Sequence, residues 1–266
     1  MSESNKRNFI VHGSILAIAG ILVRIIGMLY RIPVVNIIGS EGNGIYGAAF
    51  NIYNIMLVLS SYGLPMAVSK LVSARFTKRR YKSAAKVLRC SLMVAVCTGG
   101  IAALLVFFGA SFIENVIYGG GLPGLAIPLR ILAPTIFLVA ILGVIRGFFQ
   151  GQSTMIPTAV SQILEQIVNA IVSIAAGYGM MKAFASSPDV AAYGAAGSTL
   201  GTAMGALTAV LFMGFLYAVY TPTFNRLKRK DRHTENQSTG QICKIIIYTM
   251  IPVSYTHLTL PTILLV

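Results

Sequence analysis

Phe9-Ile-Val-His-Gly-Ser-Ile-Leu-Ala-Ile-Ala-Gly-Ile-Leu-Val-Arg24-Ile-Ile-Gly-Met-Leu-Tyr-Arg31-Ile-Pro-Val-Val-Asn-Ile-Ile38 decides the fold. A membrane-spanning helix needs about 20 mostly apolar residues, and this stretch has the length. Arg24 and Arg31 interrupt it almost two helical turns apart, so both guanidinium groups fall on one face. Charges at that depth are rare and usually face a bundle interior or a watery cavity. A cationic stripe inside a bundle points to an anion that sits there or passes through.

The rest of the chain has the same character. Of its 266 residues, 56% are hydrophobic and 11% charged, and the mean hydropathy is +0.77. Charged residues alone supply about a quarter of an ordinary soluble domain. Spans are expected at about 9–38, 44–69, 87–113, 125–149, 156–184 and 192–220, with a seventh starting near Ile242. The fold class expected is an all-α, multi-pass membrane protein. The first span is too long for a signal h-region and lacks a cleavage site, so it reads as a retained helix.

Charge sets the expected topology. With the N-terminus in the cytoplasm and six spans alternating, the cytoplasmic side holds all 21 basic residues except Arg24, Arg31, Arg130 and Lys182. Such an imbalance is a strong positive-inside signal. The net charge of +14 is therefore a matter of topology and of contact with membrane lipids, not of nucleic-acid recognition. Arg146, near the end of the span at 125–149, counts in this reading on the cytoplasmic side. The stretch 221–241 reads as a flexible, basic cytoplasmic linker, and Tyr118-Gly-Gly-Gly-Leu-Pro-Gly124 as a turn-rich outer loop.

Cys90, Cys97 and Cys243 form no C-x-x-C pair, and His12, His233 and His257 cluster with nothing, so neither a metal nor a cofactor is expected. The cysteines read as small packing residues, Cys90 and Cys97 on one helical face.

Polar residues inside the spans carry the functional reading. Gln162, Glu165, Gln166, Asn169 and Ser173 fall within an arc of about 100° on span five. Glu165 is the one acidic residue well inside a span, and should face the interior, pair or be protonated. The first span offers Arg24 and Arg31 as partners, with coupling to Arg24 expected, and a functional cavity group is the alternative. Asn51, Asn54 and Ser61 share a face of span two, ahead of a Gly63-x-Pro65 break. Such amides either bond between helices or line a cavity. Gly194, Gly197, Gly201 and Gly205 have the small-xxx-small spacing that lets another helix approach. Converging polar faces in an apolar bundle suggest a central cavity of the alternating-access kind. An enzyme is disfavoured, because no two carboxylates lie close together within a span.

Several separate stretches carry a resemblance. Arg24-Ile-Ile-Gly-Met-Leu-Tyr-Arg31-Ile-Pro33, Ile38-Gly-Ser-Glu-Gly-Asn-Gly-Ile-Tyr46, Tyr62-Gly-Leu-Pro65 with Ser69-Lys70, Arg146-Gly-Phe-Phe-Gln-Gly151, Gln162-Ile-Leu-Glu-Gln166 and Gly194-Ala-Ala-Gly-Ser198 are among them. Over about 10–252 the chain resembles the polysaccharide-biosynthesis and stage V sporulation protein B group. That group belongs to the multidrug/oligosaccharidyl-lipid/polysaccharide exporter superfamily. The resemblance implies two six-helix lobes around a V-shaped cavity, of which 1–220 would be the first, 221–241 the linker and 242–266 the start of the second. It also implies a flippase of the bacterial cell membrane whose cargo is a lipid-linked saccharide of the polyprenyl pyrophosphate type, such as a peptidoglycan precursor. A monovalent cation is a candidate coupling ion. Arg24 and Arg31 match cavity arginines of related peptidoglycan-lipid flippases by position. Those relatives carry a further arginine on the second helix, whereas Asn51 to Leu59 has none.

From about Val253 the sequence stops resembling the group, and this tail reads as foreign to a protein of roughly twice the length. Two other functions compete. A cation-coupled multidrug exporter would favour carboxylates over arginines in its cavity. A non-transporting scaffold for envelope or spore assembly would not need two arginines on one face.

Overall fold

The computed structural model describes residues 3–232 and 238–250, with side chains from residue 14 onward. The tail expected to be foreign, from 253, lies outside the described residues. All regular structure among the described residues is helical: α1 (Glu3–Ser60), α2 (Leu64–Thr77), α3 (Tyr81–Phe112), α4 (Ala126–Gln150), α5 (Ile156–Ala183), α6 (Val190–Lys230) and α7 over 239–250.

α1 is two helices. Gly39 has φ 70° and ψ −177°, a conformation outside the helical region that favours glycine. The Arg31 guanidinium lies 5.7 Å from the Tyr46 ring centroid. In a straight helix those Cα atoms would be about 22 Å apart, so the chain folds back at Gly39. The 64-residue apolar stretch Ser14–Thr77 is therefore bent at Gly39 and is long enough to cross twice, in line with the break expected between 38 and 44. The stretches Tyr81–Ile117, Ala126–Gln150, Ile156–Ala183 and Val190–Lys230 are also long and apolar enough to cross.

At the second expected break the chain leaves the helix over Ser61–Gly63 and re-enters with Pro65 in the first turn of α2, where its missing N–H costs nothing. The Thr98 hydroxyl lies 3.0 Å from the Ser60 carbonyl freed there. A Cβ on Gly63 would meet the Met250 backbone at 2.8 Å, so α7 seats against this break. Ile242 and Ile246 of α7 are fully buried.

The small residues act as contacts. Gly143, Gly147 and Gly151 bring α4 onto Pro65, Val68 and Val72 of α2. Gly194, Gly197, Gly201 and Gly205 meet α5 at Met181, Ala176, Ser173 and the Glu165 carbonyl, an antiparallel register along nearly the whole helix. At one end of the bundle Phe148 packs edge-on to Phe76, Phe224 and Tyr217, tying α2, α4 and α6 together. At the other end Glu114 accepts hydrogen bonds from the amides of Gly124 (3.0 Å) and Ala126 (2.7 Å), closing the 118–125 loop over the start of α4.

Two expectations need correction. The stretch 221–241 is not a loop from its start: α6 carries its basic residues as helix to Lys230. Asp231 is then buried, and its carboxylate accepts from the Lys82 amide at 2.8 Å, capping α3. Cys97 is exposed while Cys90 is buried, so only Cys90 is a packing residue of α3. Seven residues fall short of two turns by about 20°, enough at this edge to move a side chain out of the interface.

Candidate functional site

The N-terminal part of the first α1 limb meets α5 along a narrow line, while Val34 and Ile38 nearer Gly39 are buried in the core. A Cβ on Gly27 would stand 3.2 Å from Gln166 Nε2, and Asn169 Nδ2 donates to the Tyr30 hydroxyl at 3.3 Å. Both contacts join residues 139 positions apart. The first limb of α1 and α5 thus run parallel in fixed register. The best apolar window of the first span is only 6% buried.

Arg24 and Arg31 lie on the open part of this limb, and both are exposed. Arg31 reaches over the ring of Tyr46, a buried residue of the returning limb. Arg24 makes no hydrogen bond or ion pair with the described residues. Asn51 and Asn54, on the returning limb, are exposed as well. The described helices therefore leave four polar side chains of the two α1 limbs open, flanked by exposed Ile25, Met28, Leu29 and Ile55.

The α5 stripe divides by depth. Asn169 and Ser173 are buried. The Ser173 hydroxyl lies 2.9 Å from Asn169 Oδ1 and 2.8 Å from the Ser198 carbonyl of α6, with Thr202 Oγ1 3.4 Å from the same Asn169 oxygen. Asn169 thereby joins α1, α5 and α6. Gln162 is half-buried on the same helix.

Glu165 is level with Ile26 by this register, within a turn of Arg24, yet its partner is another residue. Arg146 Nη2 of α4 donates to Glu165 Oε2 at 2.7 Å, and Arg146 Nε donates to Ser161 Oγ at 2.9 Å. The two side chains are 14% and 26% exposed, so the pair is largely shielded. The expected pairing with Arg24 is thus corrected. Arg146 lies in the last two turns of α4, within the expected span, and is the site residue the sequence reading left out. Its signal was present: it opens the Arg146-to-Gly151 motif, one turn inside the helix end. Tyr53 of the returning α1 limb is buried. The structure thus gathers Tyr30, Gln166 and Asn169 at one junction and Arg146, Ser161 and Glu165 at another. Arg24, Arg31, Asn51 and Asn54 remain on the open face.

The sequence model of the family described as polysaccharide biosynthesis protein matches residues 10–249. The chain is 34% identical over 176 residues to the lipid II flippase MurJ of Bacillus subtilis (strain 168), covering 64% of this chain and 32% of that protein. It is 30% identical over 210 residues to stage V sporulation protein B of the same organism, covering 78% and 39%. A solved MATE transporter in its straight conformation superposes with a TM-score of 0.75 at 17% identity, covering 95% of this chain and 53% of the other. That last likeness shows the fold alone. The chain spans less than half the length of these curated relatives and about half that of the solved transporter.

Proposed function

Because this chain belongs to the polysaccharide biosynthesis protein family, we propose that 1–220 forms the first lobe of a transporter flipping a lipid-linked saccharide across the bacterial cell membrane by alternating access. On this reading the N-terminus is cytoplasmic, 221–241 is the basic connection on that side, and 242–266 opens a second lobe. The cargo carries a polyprenyl pyrophosphate, which the arginines hold. The supporting observation is the open face of α1. Arg24 and Arg31 share it, are exposed, and have no carboxylate partner among the described residues. A mid-span guanidinium facing hydrocarbon is costly, so this face belongs against water, an anion or further protein.

Arginine fits a diphosphate because its planar fork donates to two oxygens at once, whereas lysine acts as a point charge. Asn51 and Asn54 add neutral donors on the neighbouring limb. Gln162, Glu165 and Asn169 belong to the cavity wall, where Glu165 also makes a monovalent cation the candidate coupling ion.

The test is made in the full-length protein, by complementing a strain depleted of its peptidoglycan-lipid flippase, with protein level checked in the membrane fraction. Arg24→Lys and Arg31→Lys each impair complementation, and alanine impairs it more. Losing one charge-assisted contact at a desolvated site costs about 2–5 kcal/mol. A double alanine variant present at normal level that complements fully would remove the arginines from the substrate site.

A further inference from the structure

We propose that the groove between α3 and α6, at the end of the bundle bearing most basic residues, is a binding site for an anionic glycerophospholipid. The groove holds about 520 Å³ and is lined by Lys82, Lys86 and Arg89 of α3, Lys228 of α6 and Thr239 of α7, with Ala85, Cys90 and Met93 as its apolar wall.

Two features identify the occupant. The first is charge. Lys82, Lys86 and Arg89 occur at i, i+4 and i+7, one stripe of α3, and Lys228 faces them from the next helix. Basic pockets between transmembrane helices at the membrane surface suit phosphate headgroups. Lys228 is also held in place, its ammonium 5.2 Å from the Phe224 ring centroid. The second is the apolar surface beyond the cup. The same stripe of α3 continues through Met93, Val96, Ile101, Leu104 and Phe108, all exposed. A cationic cup that opens onto an exposed apolar track matches one molecule with an anionic head and acyl chains. Free phosphate would use the cup alone.

The assay titrates the chain, purified in detergent, with phosphatidylglycerol and counts bound lipid by native mass spectrometry. Replacing Lys86, Arg89 and Lys228 together by glutamine weakens binding about tenfold or more. Replacing Lys78, Arg79 and Arg80 by glutamine removes the same charge from outside the groove and leaves binding unchanged. The charge-preserving set Lys86→Arg, Arg89→Lys and Lys228→Arg binds as the parent does, which separates loss of charge from loss of fold. The single exposed change Arg89→Gln gives a partial loss. Equal weakening by both neutral triples, loss in the charge-preserving set, or no effect of the groove triple overturns the site. Phosphatidylcholine binding as tightly overturns the anionic requirement. Displacement of bound lipid by an equal concentration of glycerol 3-phosphate overturns the lipid in favour of a soluble phosphate.

Discussion

Arg146 and Glu165 join α4 to α5 through a hydrogen-bonded ion pair of 2.7 Å, and Ser161 holds the arginine from its other side. Removing one partner leaves the other charge partly desolvated inside the bundle, which is worse than removing both. Glu165→Gln and Arg146→Gln should each lower the thermal midpoint and folded yield in detergent. The double variant should lose less than the sum, with a coupling of about 1–3 kcal/mol. Glu165→Gln combined with Arg24→Gln should be additive. Coupling to Arg24 as large as that to Arg146 would contradict the pairing.

The glycines of α6 differ in what surrounds them, and this predicts opposite outcomes for one chemical change. A Cβ on Gly201 would collide with Ser173 Oγ and the Asn169 carbonyl, whereas Gly214 has nothing within 4 Å. Gly201→Ala should destabilise by about 1–3 kcal/mol, the usual cost of overpacking. Gly214→Ala should be neutral or stabilising, because alanine restricts the unfolded chain. Thermal unfolding of the two variants side by side decides it.

Cys90 and Cys243 belong to one packed cluster where α7 meets α3, with Cys90 Sγ 3.8 Å from the carbonyl of Thr239, one turn before Cys243. Mild oxidation in a Cys97→Ser background should link Cys90 to Cys243, detected as a cross-linked peptide by mass spectrometry. A reversible, high-yield link would place α7 on the bundle in the membrane. If the two thiols instead react independently with maleimide at undiminished rates after oxidation, α7 is not docked there.

Topology can be read by labelling single cysteines in a cysteine-free background from outside the cell. Cysteines at Gly120 and Ser187 should react, and those at Lys78 and Lys230 should not. Reaction at Lys78 would invert the proposed orientation.

The spans were legible because hydropathy along the chain reports depth in a membrane. Gly39 and the Ser61–Gly63 break fall where apolar runs meet polar or glycine-rich residues, so the turns were visible too. The α6 glycines were readable because their spacing forces a close approach whatever the partner. The partner of Glu165 was not. Periodicity fixes which way a residue points on its own helix, but not which neighbour the bundle rotates towards it. Arg146 carried a second obstacle: a basic residue one turn from a span end looks the same as a topology determinant. The same limit applies to Cys97, whose small angular offset from Cys90 leaves it exposed.

The reversal at Gly39 makes the first limb of α1 a lever. Arg31 lies 8 residues from that pivot and Arg24 lies 15, on the same side of Pro33. Along a helix these arms are about 12 Å and about 22 Å. A swing about Gly39 would work against the seam at Gly27 and Tyr30 and against the buried Val34 and Ile38, and would carry both cations together with Arg24 moving nearly twice as far. The two charges are thus one rigid carrier with a built-in difference in stroke.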